Sequence, residues 1–154
     1  MSSARELSDA LLRTITGPMW HGPALAEVLK GVSREQASAR PISSAHTIWE
    51  LVAHITTWAD VPRQRLGGQP RLDVGTAEDW PAVSTTSDGA WRDAVERMES
   101  SYRTLARDVA ALDEKALDAK VPGHDYTVRV MLHGVIEHGT YHGGQIALLK
   151  KALG

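Results

Sequence analysis

TVRVMLHGVIEHGTYHGGQIALL, Thr127 to Leu149, decides the fold class of this chain. Steps of four and three residues through it pick out Met131, Val135, His138, His142, Gln145 and Leu149. That spacing follows one seam of an α-helix, the side that faces a bundle core. Apolar residues alone would be ordinary there. Two histidines and a glutamine are not, because buried polar groups need partners. His138 and His142 lie four residues apart, one above the other on one face, where two imidazoles can share a metal ion. Such pairs also arise by chance and are then satisfied by backbone or water, so a third ligand decides the matter.

The third ligand comes from a second strong helix, expected from about Ser44 to Leu66. Its seam, in the same steps, is Thr47, Leu51, His54, Trp58 and Val61, which puts a histidine at a core position in mid-helix. Ile48, Val52 and Ile55 widen the apolar face, and Pro62 is expected to kink or fray the last turn. His54, His138 and His142 together offer three neutral nitrogen ligands. A catalytic site uses that number when it leaves a position open for water or substrate. Zinc suits three imidazoles, and ligand type alone also admits nickel, iron or manganese. Two familiar sites do not fit. A zincin needs Glu after the first histidine of HExxH, and here Gly139 follows His138. A di-iron bundle needs E-x-x-H on two helices, and the chain has none. A mononuclear centre is the expectation.

The remaining histidines read as ordinary surface residues. His133 is five residues from His138, roughly 140° around the helix, and is placed to pair with Glu137. His21, His46 and His124 fall in or beside loops and are expected to face solvent. Two residues are candidates to orient the ligands. Glu50 lies four before His54 and is placed to accept a hydrogen bond from an imidazole, although a solvated residue near a helix start explains it as well. Gln145, one step along the seam, is placed to orient His142 or a bound water. Tyr141 flanks the ligands.

The rest of the chain supplies the other walls of a bundle. A first helix opens at Ser2 or Ser3, carries Leu7, Leu11 and Ile15, and breaks at Gly17-Pro18. A short piece from about Gly22 to Gly31 follows, then a turn opened by Ser33 to Gln36, which has the S-x-x-Q form of a capping box. Gly67 to about Ser87 has no hydrophobic period and reads as a long crossover that leaves the helices on either side roughly parallel, with Trp80-Pro81 pinning it to the core. A third helix, from Ser87 or Asp88 to Leu112, has an unbroken seam of Trp91, Val95, Met98, Tyr102, Leu105, Val109 and Leu112. Asp113 to Asp125 reads as a polar connection, and Thr127 as the N-cap of the fourth helix. No β pattern competes with the 3.6-residue period, so the fold is expected to be an all-α four-helix bundle, one domain over residues 1–154.

Composition agrees with a globular chain that can bury a core. It has 154 residues, 42% hydrophobic and 23% charged. A net charge of −2 gives no footprint for nucleic acid or an anionic membrane. Cysteine is absent, which leaves histidine and carboxylates as the metal ligands. With no apolar h-region at the N-terminus and no apolar run of membrane-spanning length, a cytoplasmic protein is expected.

HTIWELVAHITTW (His46 to Trp58) and YTVRVMLHGVIEHGTYHGGQIALLKK (Tyr126 to Lys151) together resemble the DinB/YfiT-like family of metal-dependent proteins. GPMWHGPAL and the spacing of Trp80 and Trp91 resemble one branch of it, so the likeness spans nearly the whole chain. The most specific part is a mid-helix histidine followed, in the last helix, by H-x-x-x-H-x-G-Q-I. The resemblance implies an up-down-down-up four-helix bundle, with the family's metal-binding histidines carried over onto His54, His138 and His142. It also implies zinc or nickel as the metal and a homodimer as the assembly. The implied chemistry is that of a mononuclear enzyme acting on small molecules, a thiol S-transferase using a low-molecular-weight thiol or a hydrolase using water. The competing expectation is a non-catalytic metal-binding stress-response module, which a protein carboxylate closing the fourth coordination position would favour.

Overall fold

The computed structural model describes residues 3–69 and 75–154. Ser2 as a helix start and the middle of the long crossover, residues 70–74, lie outside the described residues. Among these the chain forms seven helices and no strand: α1 (Ser3–Thr16), α2 (Leu25–Leu29), α3 (Arg34–Ser38), α4 (Ile48–Leu66), α5 (Asp88–Ala110), α6 (Glu114–Asp118) and α7 (Val128–Leu153). Four are long. Of these, α1 packs on α5 and α7, and α4 packs on the same two. The fold is all-α.

Side-chain caps fix where the long helices begin. Thr47 Oγ1 accepts from Glu50 N at 3.1 Å, and the Glu50 carboxylate accepts from Thr47 N at 2.8 Å. This reciprocal box starts α4 at Ile48 and not at Ser44, because residues before the cap have no helical partner for their amides. Ser87 and Thr127 cap α5 and α7 in the same way, each accepting from the amide three residues on. Pro62 neither ends nor frays α4, which continues to Leu66 and closes with Gly67 N donating to Arg63 O at 3.0 Å. The polar connection after α5 contains a helix that periodicity missed. Asp113 caps α6 through Ala116 N at 2.7 Å, and Leu117 of that turn is fully buried.

The core is built of aliphatic residues with Trp and Tyr as its large units. Leu11, Ile15, Ile48, Ile55, Met98, Tyr102, Leu105, Leu132 and Ile146 are all but inaccessible. Trp49 packs on Trp91 at 5.2 Å between ring centroids, and the Trp91 indole N–H donates to Val32 O at 2.9 Å. That bond satisfies the one polar atom the ring brings inside. On α7 the deepest row is Leu132, Gly139 and Ile146, one step around from the seam read in the sequence. His138 and Gln145 are only half-buried, at the border of the core. Gly139 explains the offset. A Cβ there would lie inside contact distance of Tyr102 Oη and 2.9 Å from Thr14 Cγ2, so only glycine lets α7 close onto α1 and α5 at this level. That close approach turns the edge of the seam, with His138 and His142, toward α4.

Candidate metal centre

The α4 and α7 helices run antiparallel, since His54 meets His138 while Arg65, later on α4, meets Tyr126, just before α7. The crossing brings all three predicted histidines together. His54 Nε2 and His138 Nε2 stand 2.9 Å apart, and one ring nitrogen from each of His54, His138 and His142 lies within 4.8 Å of the others. Among the described residues this is the one group of three or more histidine and carboxylate side chains so disposed. Exposure is 6% for His54 and 7% for His142.

Hydrogen bonds on the far sides of the rings aim two of these nitrogens. His54 Nδ1 donates to the carbonyl oxygen of Asp79 at 2.6 Å. A carbonyl can only accept, so Nδ1 carries the proton and Nε2 presents its lone pair to the cluster. His142 Nδ1 donates to Gln145 Oε1 at 2.6 Å, and the Gln145 amide donates in turn to Tyr141 Oη at 3.4 Å. His138 Nδ1 is buried with no hydrogen-bond partner among the described residues, which makes His138 the least anchored of the three.

Asp79 is the residue that sequence reasoning missed. It lies on the crossover, 3% exposed, and its carboxylate accepts from the Trp58 indole at 2.6 Å and from Gly75 N at 3.0 Å. Burial pulls its carboxyl upward, but the bonds from Gly75 and Trp58 outweigh burial and hold it below the usual carboxylate range. Its Oδ1 also stands 3.3 Å from His54 Nδ1. The only signal for it was a carboxylate next to Trp80 in a long connection, and no periodicity ties such a residue to a helix.

Trp80 follows and lies flat between two imidazoles. Its ring stacks on His54 at 3.8 Å and on His46 at 3.5 Å, nearly parallel to both. Trp80 therefore does pin the crossover, and it does so onto the ring of His54. His46, expected simply to face solvent, is exposed on one side only and is the outer layer of this stack. Glu50 does not orient a ligand. Its carboxylate is taken by Thr47 N, by Arg40 at 2.7 Å and by His46 at 3.3 Å, the capping role being the stronger local demand. His133 is exposed and His124 is half-buried beside Tyr126.

The donor set fits a divalent cation. Burial, then the neighbouring imidazoles His142 and His54, push His138 down to about 3. Burial likewise lowers His54 and His142, against the pull of their hydrogen bonds to Asp79 and Gln145. All three rings are thus neutral near pH 7, the form that ligates. Lone pairs facing each other at 2.9 Å repel unless a proton or cation lies between them, and nitrogens around a tetrahedral zinc stand about 3.3 Å apart. The three histidines, two buried and one half-buried, could therefore hold a metal ion.

A cleft of about 560 Å³ opens from the cluster and runs between α4 and α7, lined by Trp58, Val61, Pro62, Trp80, Val130, Met131, Gly134 and Val135 among others. A second hollow of similar size, about 540 Å³, lies between α4 and α5 and is walled by Asp60, Arg63, Arg97 and other polar side chains, with no histidine. Among the described residues no helix is long and apolar enough to cross a membrane.

No significant match to the chain is found among curated proteins or among solved structures. A family model does match, that of the DinB superfamily, over residues 19–146. The matched span contains His54, His138, His142, Asp79 and Gln145, and it covers well over half of the chain. By that match the chain belongs to the DinB superfamily.

Proposed function

We propose that the chain is a mononuclear metal-dependent enzyme acting on small molecules, with zinc or nickel held by His54, His138 and His142. A divalent ion bound there supplies Lewis acidity, which lowers the pKa of a water or thiol at an open position. The residues of the chain hold and shield. Asp79 and Gln145 keep the Nδ1 protons of His54 and His142 on the outer side of the cluster, and Trp80 covers the face of His54. The observation that carries the reading is that, among the described residues, the cluster holds three nitrogens and faces a cleft. Among the described residues the buried carboxylate beside the cluster, Asp79, is occupied by Trp58 and Gly75 on the far side of His54, so it does not close a fourth position.

The proposed reaction is thiol transfer to an electrophile or hydrolysis, both of which a nucleophile generated without a protein base can serve. The family resemblance supports the first. It also supports a homodimer and an up-down-down-up bundle, and the antiparallel meeting of α4 with α7 agrees with that topology; the chain length supports one domain, and the sequence pattern a cytoplasmic location. The test is a screen of zinc- and nickel-loaded protein with low-molecular-weight thiols plus a model electrophile, and with esters. Turnover that disappears in His54→Ala is expected. A protein that binds the metal and turns over neither class is the non-catalytic module instead.

A further inference from the structure

We propose that the cleft beside the three histidines binds the hydrocarbon body of an elongated small molecule whose reactive group sits at the histidine end. The proposal deepens the enzymatic reading and rests on the cleft being its substrate's way in. Its polar groups are confined to the two ends. At one end stand the imidazoles. At the other, Arg65 is buried, donates to Tyr126 Oη at 2.5 Å and lies 5.5 Å from the Trp58 ring centroid. The Trp58 ring beneath the Arg65 guanidinium stands 6.5 Å from the His54 ring, so the two polar ends are about 12 Å apart at most, and the wall between them is apolar. Val61 and Pro62 line it from α4, Met131 and Val135 from α7.

Two further features point to a hydrocarbon occupant rather than to a wall that packs on itself. Gly134 lies on the cleft with nothing within 4 Å of the place its Cβ would take, so at this point α7 leaves space where a side chain would fill it. Val130, one turn earlier on the same side, is 56% exposed. The contrast with the polar hollow between α4 and α5 is instructive: water satisfies that one, whereas the surface beside the histidines gains by covering. Flat stacking is not what the cleft offers. Both faces of Trp80 are already taken by His46 and His54, so the occupant meets aliphatic side chains and ring edges.

The experiment uses n-alkanols from pentanol to octanol as probes, titrated calorimetrically against metal-free and zinc-loaded protein. Each added methylene is expected to tighten binding about three- to fourfold at one site per chain, with or without zinc. Gly134→Leu, which improves helix propensity and fills the open space, is expected to weaken octanol at least tenfold while circular dichroism is unchanged. Val130→Lys gives a second, surface variant with the same expected direction. Affinities that do not change with chain length, several weak sites per chain, or a Gly134→Leu protein that binds octanol as tightly as the native one would each overturn the proposal. Alcohol binding needs no metal. Loss of the enzymatic reading through absent metal or absent turnover is therefore distinguishable from loss of this one.

Discussion

Asp79 holds the His54 ring, an indole and the end of the crossover with one residue. Its backbone oxygen fixes the His54 tautomer, and its carboxylate ties down Trp58 and Gly75. Groups that orient ligating imidazoles are worth 10- to 100-fold in metal affinity. Asp79→Ala is therefore expected to weaken zinc binding by that range in a chelator competition, because the crossover that carries the accepting carbonyl loses its anchors. Affinity equal to native would mean that the carbonyl is held without the side chain. That His54, His138 and His142 come together was legible in the sequence, since helical spacing alone brings them onto inward seams. The residues behind them were legible in one case only. Gln145 sits on the same helix as His142 and is found by counting, whereas Asp79 reaches His54 from a stretch without period. At Glu50 the alternative reading of a helix-start residue prevails, because a carboxylate four residues before a histidine is also three after a threonine, and the cap takes it.

At the scale of the helix, Gly139 sets how closely α7 approaches α1 and α5, and so where His138 and His142 point. Gly139→Ala would press a methyl group on the Tyr102 hydroxyl and Thr14. Tyr102 is fully buried, and burial pushes its phenol well above the ordinary value, so the neutral hydroxyl donating to Val135 O has no room to retreat. Overpacking of this kind costs about 1–3 kcal/mol. Thermal melts should show Gly139→Ala several degrees below native, while Gly144→Ala, with open space around its Cβ, should match or exceed native. Equal melting of Gly139→Ala and native protein would mean that α7 can shift without cost. The helices were readable from their 3.6-residue period, but two of their details were not. The Thr47 to Glu50 box moved the start of α4, and α6 is too short for its period to show, resting on the Asp113 cap and one buried leucine.

For the whole molecule, the long apolar contacts of α1, α4, α5 and α7 lead to the expectation that the helices form without an ion. Metal bound to the native state alone adds RT ln(1 + [L]/Kd), about 4 kcal/mol at a thousandfold excess over Kd. Chelator-treated protein is expected to keep its helical circular dichroism and melt lower; apo protein unfolded at room temperature would mark a structural ion. Metal-free protein should also be acid-sensitive. His138 falls to about 3 in the fold from 6.5 when free, so its neutral form contributes stability that is fully present above pH 6.5 and is lost as pH falls toward 3. His138→Gln should flatten that part of the melting profile, and an unchanged slope would show that other groups cause it. The central claim is that three histidines from two helices form one metal site, and metal analysis of purified variants tests it most directly. Native protein and His133→Ala are predicted to bind one zinc or nickel per chain, and His54→Ala, His138→Ala and His142→Ala none. Stoichiometric metal in any of those three, or its loss in His133→Ala, would contradict the account.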